Sequence, residues 1–303
     1  MKALVTGGAG FIGSHIVDKL VQENCRVVVV DNLSTGLRNN LNPKAKFVEM
    51  DIRSHELIDL FQTEQFDYVI HQAAQTMVPS SIENPDYDCQ VNILGTVNVL
   101  ECCRKTGVKR LVFASSAAVY GNVETIPVTE TAETCPTSFY GLSKLTVEKY
   151  LYLYHEIYGF DYVVLRYANV YGERQGDAGE GGVVSIFTRK IHQGRPLTIF
   201  GDGGQTRDFI YVGDVANANY QAMVTPKGNA VYNVSTQTET SVNTLIELLG
   251  KASGQAASKE YRDPRDGDIY RSFLANAAAR QNLAWTPSIP LVEGLYRTYQ
   301  FSK

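Results

Sequence analysis

The sequence predicts an α/β fold, a doubly wound parallel sheet followed by a smaller, mixed α/β substrate domain. Three observations carry this expectation. Short β-branched runs alternate with amphipathic stretches of helical period through the first half, the pattern of βαβ units. The first run passes at once through a glycine-rich turn into a helical stretch, TGGAGFIGSHIV. After Arg166 the alternation gives way to a Gly-rich, charged loop, NVYGERQGDAGEGG (169–182).

The runs KALVT (2–6), RVVVVD (26–31), KFVEM (46–50), DYVIH (67–71), RLVFAS (110–115) and YVVLRY (162–167) each read as a buried strand. FIGSHIVDKLVQE and VNILGTVNVLECCRK lie between them as helices with one apolar face. Farther on, PLTIFGDGGQTRDFIYVGD (196–214) mixes strands with turns. Helical patterns return near 241–253, 275–283 and 290–300. The expected division is 1–168 for the first domain and 169–303 for the second. The run DFIYV, within 208–235, is a candidate to return to the first sheet, so the boundary is not a single cut.

A chain of 303 residues fits about two domains. Its 28 Lys and Arg against 32 Asp and Glu leave a net charge of −4, too mild to point to nucleic acid or an anionic membrane. No apolar run approaches the ~20 residues that span a bilayer. The chain enters an apolar run at once with MKALVTGG, so no signal peptide and a cytoplasmic location are expected. Five cysteines without CxxC spacing read as buried or idle thiols. The five histidines are scattered, and no metal site is expected.

The glycine-rich turn carries the first chemistry. Gly8, Gly10 and Gly13 satisfy GxGxxG, while Gly7, Gly10 and Gly13 satisfy GxxGxxG. A strand that turns sharply into a helix aims the helix's first amides at a pyrophosphate, and glycine lets the phosphate approach. Asp31 ends the second strand 18 residues after Gly13. A carboxylate there accepts hydrogen bonds from ribose hydroxyls and repels a 2′-phosphate, which favours NAD. Asn32 and Leu33 follow it; Arg38 is the nearby cation that keeps NADP open. The turn, strand and acid together make the first domain Rossmann-like.

SFYGLSKLTVEKY places Tyr140 and Lys144 four apart at the start of a helical pattern, on one helix face. A phenol titrates near pH ~10 and is a poor base at neutrality. A lysine ammonium within reach supplies part of the preference for phenolate, and oxidised nicotinamide supplies more.

TGGAGFIG, the Asp31 strand end, HQAA (71–74), SSAAVYG (115–121), YGLSK and RYANVYG together resemble the extended short-chain dehydrogenase/reductase group of nucleotide-sugar enzymes, over essentially the whole chain. The resemblance implies that Ser116 works with Tyr140 and Lys144, with Ser115 a neighbouring cofactor contact. It implies that Phe11, Ile12, Asn32, Asn92 and Tyr167 also contact NAD, that Asp51 and Ile52 border the adenine, and that Ala73 and Ala74 line the cofactor channel. For the sugar nucleotide it implies Ser116, Tyr140, Asn169, Phe200, Arg207, Arg265 and Ser272, with the two arginines forked onto the diphosphate. Ser272 matches a position that borders the hexose C2 substituent. A homodimer through the helix 84–105 and the Tyr140 helix is implied as well.

Dehydratases of this group carry an Asp-Glu pair after the catalytic hydroxyl, for the acid and base work of losing water. Here the pair is Ala117 and Ala118. The reading that remains is hydride removal and return at C4 of a UDP-hexose, UDP-glucose and UDP-galactose. UDP-N-acetylhexosamine and UDP-uronate cousins, a net oxidoreductase or dehydratase, and a catalytically silent NAD sensor are the alternatives. The nucleotide, UDP or dTDP, is not fixed by these residues.

Overall fold

A computed structural model describes residues 1–176, 182–255, 257–264 and 269–302. The six predicted runs form β1 (Lys2–Thr6), β2 (Arg26–Asp31), β3 (Lys46–Glu49), β4 (Tyr68–His71), β5 (Arg110–Ser116) and β6 (Tyr162–Tyr167), with edges moved by a residue at most. Further strands are β7 (Asn169–Tyr171), β8 (Leu197–Phe200), β9 (Thr206–Arg207), β10 (Phe209–Tyr211), β11 (Ala230–Val234), β12 (Thr240–Ser241) and β13 (Lys259–Arg262). The helices of the first half are α1 (Phe11–Gln22), α2 (Leu57–Glu64), α3 (Val78–Glu83), α4 (Pro85–Asp88), α5 (Gly95–Thr106) and α6 (Phe139–Tyr158). Then come α7 (Val183–His192), α8 (Val212–Val224), α9 (Val242–Ser253), α10 (Ala277–Asn282) and α11 (Leu291–Phe301). A π-helical segment, Cys89–Leu94, joins α4 to α5.

Seven strands form one parallel sheet in the order β11-β6-β5-β4-β1-β2-β3. Side chains on both faces of β1, β2, β4, β5 and β6 are buried, which is why they read as apolar runs rather than as alternation, whereas the edge strand β3 exposes Lys46 and Glu49. On one face Ile16, Val17 and Leu20 of α1 pack with Val215 and Ala218 of α8. On the other, Leu57 and Phe61 of α2, Leu100 of α5 and Val147 and Leu151 of α6 fill the core. Each such side chain contributes about 1.5–3 kcal/mol on burial. The strand order reverses between β1 and β4, and at such a point the carboxyl ends of the strands open a crevice.

The strand that returns to this sheet is not DFIYV. Its residues 209–211 form β10, which pairs with β7 in a separate two-stranded sheet. The seventh strand is β11, parallel to β6 from Ala230 opposite Val163 to Val234 opposite Tyr167. A further core, built around Phe187, Ile199, Leu245, Leu249 and Leu295, joins α7, α9 and α11. All five cysteines are free thiols. Among the described residues no His, Cys, Asp and Glu group has metal-binding geometry, and no helix is long and apolar enough to cross a membrane.

Candidate active site

The chain leaves β1 through Gly7, whose φ of +69° lies in the left-handed region. A Cβ on Gly7 would sit 2.7 Å from the Ala73 amide nitrogen, and one on Gly13 2.0 Å from the Gly7 carbonyl oxygen. Glycine alone permits this tight strand-to-helix turn. Gly10 begins α1 without a side-chain acceptor, and no acid stands in its first turn. The first amides of α1 therefore remain for an anion.

This turn borders a cleft of about 810 Å³. Of the predicted cofactor residues, Gly7, Gly10, Phe11, Ile12, Gly13, Asp31, Asn32, Asp51, Ile52, Ala73, Ala74, Ser115, Tyr140, Lys144 and Tyr167 line it. The Asp31 carboxylate accepts from the amides of Ala9 (3.0 Å) and Leu33 (2.8 Å), which fix it at the lip of β2. Ser115 donates its hydroxyl to Glu148 at 2.5 Å, and the Tyr167 phenol is held by Gln72 and Asn219, each at 3.0 Å. Asn92 stands behind the lining. Its amide nitrogen donates to Gln75 O (2.9 Å), Asp88 Oδ1 (3.0 Å) and Ser143 Oγ (3.1 Å), so its side chain is spent on protein. A glycine cradle, open helix amides and an acid at the second strand's end fit a dinucleotide cofactor.

At the other end of the cleft, Ser116 closes β5 and caps a short turn, Ala117–Val119, its Oγ accepting from the Ala118 amide at 3.2 Å. Ser138 caps α6 by accepting from the Gly141 amide at 3.1 Å. A Cβ on Gly141 would lie 2.5 Å from the Ala118 carbonyl oxygen. The glycine in YGLSK thus lets the start of α6 press onto the alanine turn and brings Tyr140 to Ser116.

Lys144 is 4 % exposed, with Nζ 5.8 Å from the Tyr140 ring centroid and 4.9 Å from that of Phe113. Burial holds its ammonium down to about 8, and the Asp88 carboxylate opposes that fall. Burial pushes the Tyr140 phenol above its ordinary value, the Ser116 hydroxyl pulls it back, and Asp88 raises it further. Without cofactor the phenol is therefore protonated at neutral pH. His71 is kept neutral, its pKa lowered to about 3 by burial and then by Lys144, and it bridges Thr6 (2.7 Å) and Thr96 (2.9 Å).

Three groups the sequence reading does not single out support this pair. Asp88, 1 % exposed, accepts from Gln75 Nε2 (3.1 Å) and Asn92 Nδ2 (3.0 Å), and burial pushes its carboxyl up. Glu148 accepts from Arg166 Nε (3.0 Å) and Nη2 (2.6 Å), a buried ion pair that ties α6 to β5 and β6. The Arg166 guanidinium also lies 4.7 Å from the Tyr120 ring centroid. Glu148 follows Tyr140 by eight residues on the same helix face, a periodicity open to sequence reading.

Of the predicted substrate residues, Ser116, Tyr140 and Asn169 line the cleft, and Phe200, Arg207 and Ser272 are not among its lining residues. Arg207 Nη1 donates to the carbonyls of Thr206 (2.8 Å) and Ile269 (2.6 Å). Ser272 is half-buried, between Arg271, paired with Glu239 at 2.6 Å, and Phe273, whose carbonyl accepts from the Val128 amide. Arg265 lies outside the described residues.

The chain is similar to the UDP-glucose 4-epimerase of Thermotoga maritima solved with UDP-glucose, at 44% identity and a TM-score of 0.97 over 100% of this chain and 98% of that one. It is similar to a UDP-N-acetylglucosamine 4-epimerase of Methanobrevibacter ruminantium, in complex with UDP-N-acetylmuramic acid, at 35% identity and a TM-score of 0.95 over 99% and 97%. The UDP-glucose 4-epimerase of Thermus thermophilus in complex with NAD matches at 41% identity and a TM-score of 0.93 over 99% and 98%. The model of the NAD dependent epimerase/dehydratase family matches residues 3–235. With that match, and with a cleft shaped for its cofactor, this chain belongs to the NAD dependent epimerase/dehydratase family.

Proposed function

We propose that this chain interconverts the C4 epimers of a UDP-hexose, UDP-glucose and UDP-galactose, with NAD as its cofactor. One observation carries the reading: Ser116, Tyr140 and Lys144 line one dinucleotide cleft, and the two residues after the serine are alanines. When bound, NAD supplies a hydride acceptor for C4 and a positive ring beside the phenol. Tyr140 takes the proton of the C4 hydroxyl and gives it back, with the Ser116 hydroxyl positioning and sharing it. Lys144, an ammonium below about pH 8, favours the phenolate that this transfer needs. Ala117 and Ala118 offer no acid or base for elimination, so the 4-keto sugar is returned as either epimer.

A second reading, activity on UDP-N-acetylhexosamines as well, is supported by the small Ser272 at the position implied to border the C2 substituent. We also propose that the enzyme is a cytoplasmic homodimer. Phe139, Leu142, Leu153 and Ile157 leave an apolar face of α6 exposed, and Leu94 adds to it from the π-helical segment.

Incubation with a panel of UDP- and dTDP-sugars, with products resolved by NMR, tests base, sugar and reaction together. Conversion between UDP-glucose and UDP-galactose with no gain in absorbance at 340 nm is the expected result. Absorbance growing in step with product identifies a net dehydrogenase instead.

A further inference from the structure

The cleft runs past Asp31 into a slot with apolar walls, Val30, Met50, Ile52 and Val91, suited to a flat base. Since the glycine turn takes the pyrophosphate and Asp31 the ribose, this slot is the adenine end. Its rim is built from three separate segments. Asn32 follows β2, Asp51 follows β3, and Tyr87 stands on α4 at 38 % exposure, all three lining the cleft; Arg53, two residues past Asp51, stands just outside that lining.

The Asp51 carboxylate has no lone pair to spare. Its Oδ1 accepts from the Arg53 amide and Nε, both at 2.9 Å. Its Oδ2 accepts from Arg53 Nη2 at 2.8 Å and Asn32 Nδ2 at 2.9 Å. Four donors fill a carboxylate's acceptor capacity. Asp51 therefore acts as a strut that aims the guanidinium, and the guanidinium lies 5.6 Å from the Tyr87 ring centroid. The turn beneath is fixed too. Asn98 of α5 donates to the carbonyls of Ile52 (2.7 Å) and Ser54 (2.9 Å). A Cβ on Gly95 would meet Ile52 Cδ1 at 2.7 Å and Arg53 Cγ at 3.4 Å, so the turn packs directly on the start of α5.

We propose that Arg53 and Tyr87 form a clasp over the adenine end of the cleft that sets how fast NAD leaves it. The cation–π contact joins the segment after β3 to α4 beside the adenine end, tying Tyr87 of the lining to the turn that carries Asp51. Opening the rim separates a planar cation from an aromatic face at a solvent-facing site, a contact whose loss changes a rate by about 2–5-fold. The proposal rests on the NAD reading of the cleft and not on the identity of the sugar.

Protein loaded with NADH and diluted into excess NAD reports release by its falling nicotinamide fluorescence, with no sugar present. Tyr87→Leu and Arg53→Gln are each expected to release NADH about 2–5-fold faster than wild type. Tyr87→Phe keeps the aromatic face and should retain slow release. The double variant should exceed the faster single one by less than about 2-fold, because both changes open one clasp. Release from Tyr87→Leu at the wild-type rate overturns the clasp, as does fast release from Tyr87→Phe. If Arg53→Gln fails to fold, the two Tyr87 variants still decide it. Wild-type protein that binds no NADH overturns the NAD reading, and the clasp with it.

Discussion

Replacing Lys144 by Met is expected to abolish turnover and, in NAD-free protein, to raise stability. Burial holds the ammonium down to about 8, against an ordinary value of 10.5. The unfolded chain thus binds this proton more tightly than the folded one. Folding carries the full penalty below about pH 8 and sheds it as pH rises towards 10.5. At about 1.4 kcal/mol per pH unit, the gap of 10.5 less about 8 amounts to about 3 kcal/mol. Solvent screening takes little from this, since Lys144 is 4 % exposed. Met fills the same channel without the charge. With an unfolding entropy of about 2.1 cal/mol/K per residue, 3 kcal/mol raises the melting temperature of this chain by about 5 °C. Scanning calorimetry of both proteins at pH 7 and pH 10 is the assay. The variant should melt higher at pH 7, and the two should converge at pH 10. A variant that melts below wild type at pH 7, or a gap that ignores pH, refutes the reasoning.

Tyr140→Phe should cut turnover by about 10²–10⁴ and leave NAD bound, because it removes the proton acceptor and keeps the ring. Near-normal rates in that variant would take Tyr140 out of the mechanism. Glu148→Gln leaves the Arg166 guanidinium buried without its counter-charge and is expected to cost about 3–5 kcal/mol in urea unfolding. An unchanged urea midpoint would mean the pair holds nothing in place. Ser272→Tyr should depress epimerisation of UDP-N-acetylglucosamine selectively, as overfilling a packed site costs about 1–3 kcal/mol. Equal weakening of both substrates, measured as kcat/KM, removes Ser272 as the gate.

Five of the six strands of the first half are legible because each is an apolar run with buried side chains, while β3, an edge strand with Lys46 and Glu49 exposed and Phe47 and Val48 half-buried, is legible from its place in the alternation. The strand β11 is not, since AVYNV carries Asn233 near its end, fully buried. Its side chain is satisfied from outside the strand, by the Tyr120 hydroxyl (2.7 Å) and the Val128 carbonyl (3.0 Å). DFIYV is the more apolar run and draws the reading to itself. VNILGTVNVLECCRK reads as one helix, and the π-helical turn through Cys89–Leu94 is invisible there because a wider turn changes phase without changing composition. The glycine turn, Asp31, Tyr140 and Lys144 are legible from local spacing. Asp88 and Arg166 are not, because what makes them matter comes from distant segments: Gln75 for one, Glu148 and Tyr120 for the other.

Because β11 lies beside β6, everything from β7 to α8 is a detour between two neighbouring strands of one sheet. A polypeptide cut after residue 168 would keep the glycine turn and Tyr140 yet leave β6 as a bare edge, with Val163, Val164 and Leu165 losing their partners. Unpaired apolar edges of that kind recruit other chains. The cofactor half is therefore not a detachable part. The chain must travel out, lay down its capping elements and come back before the sheet that binds the nucleotide is sealed.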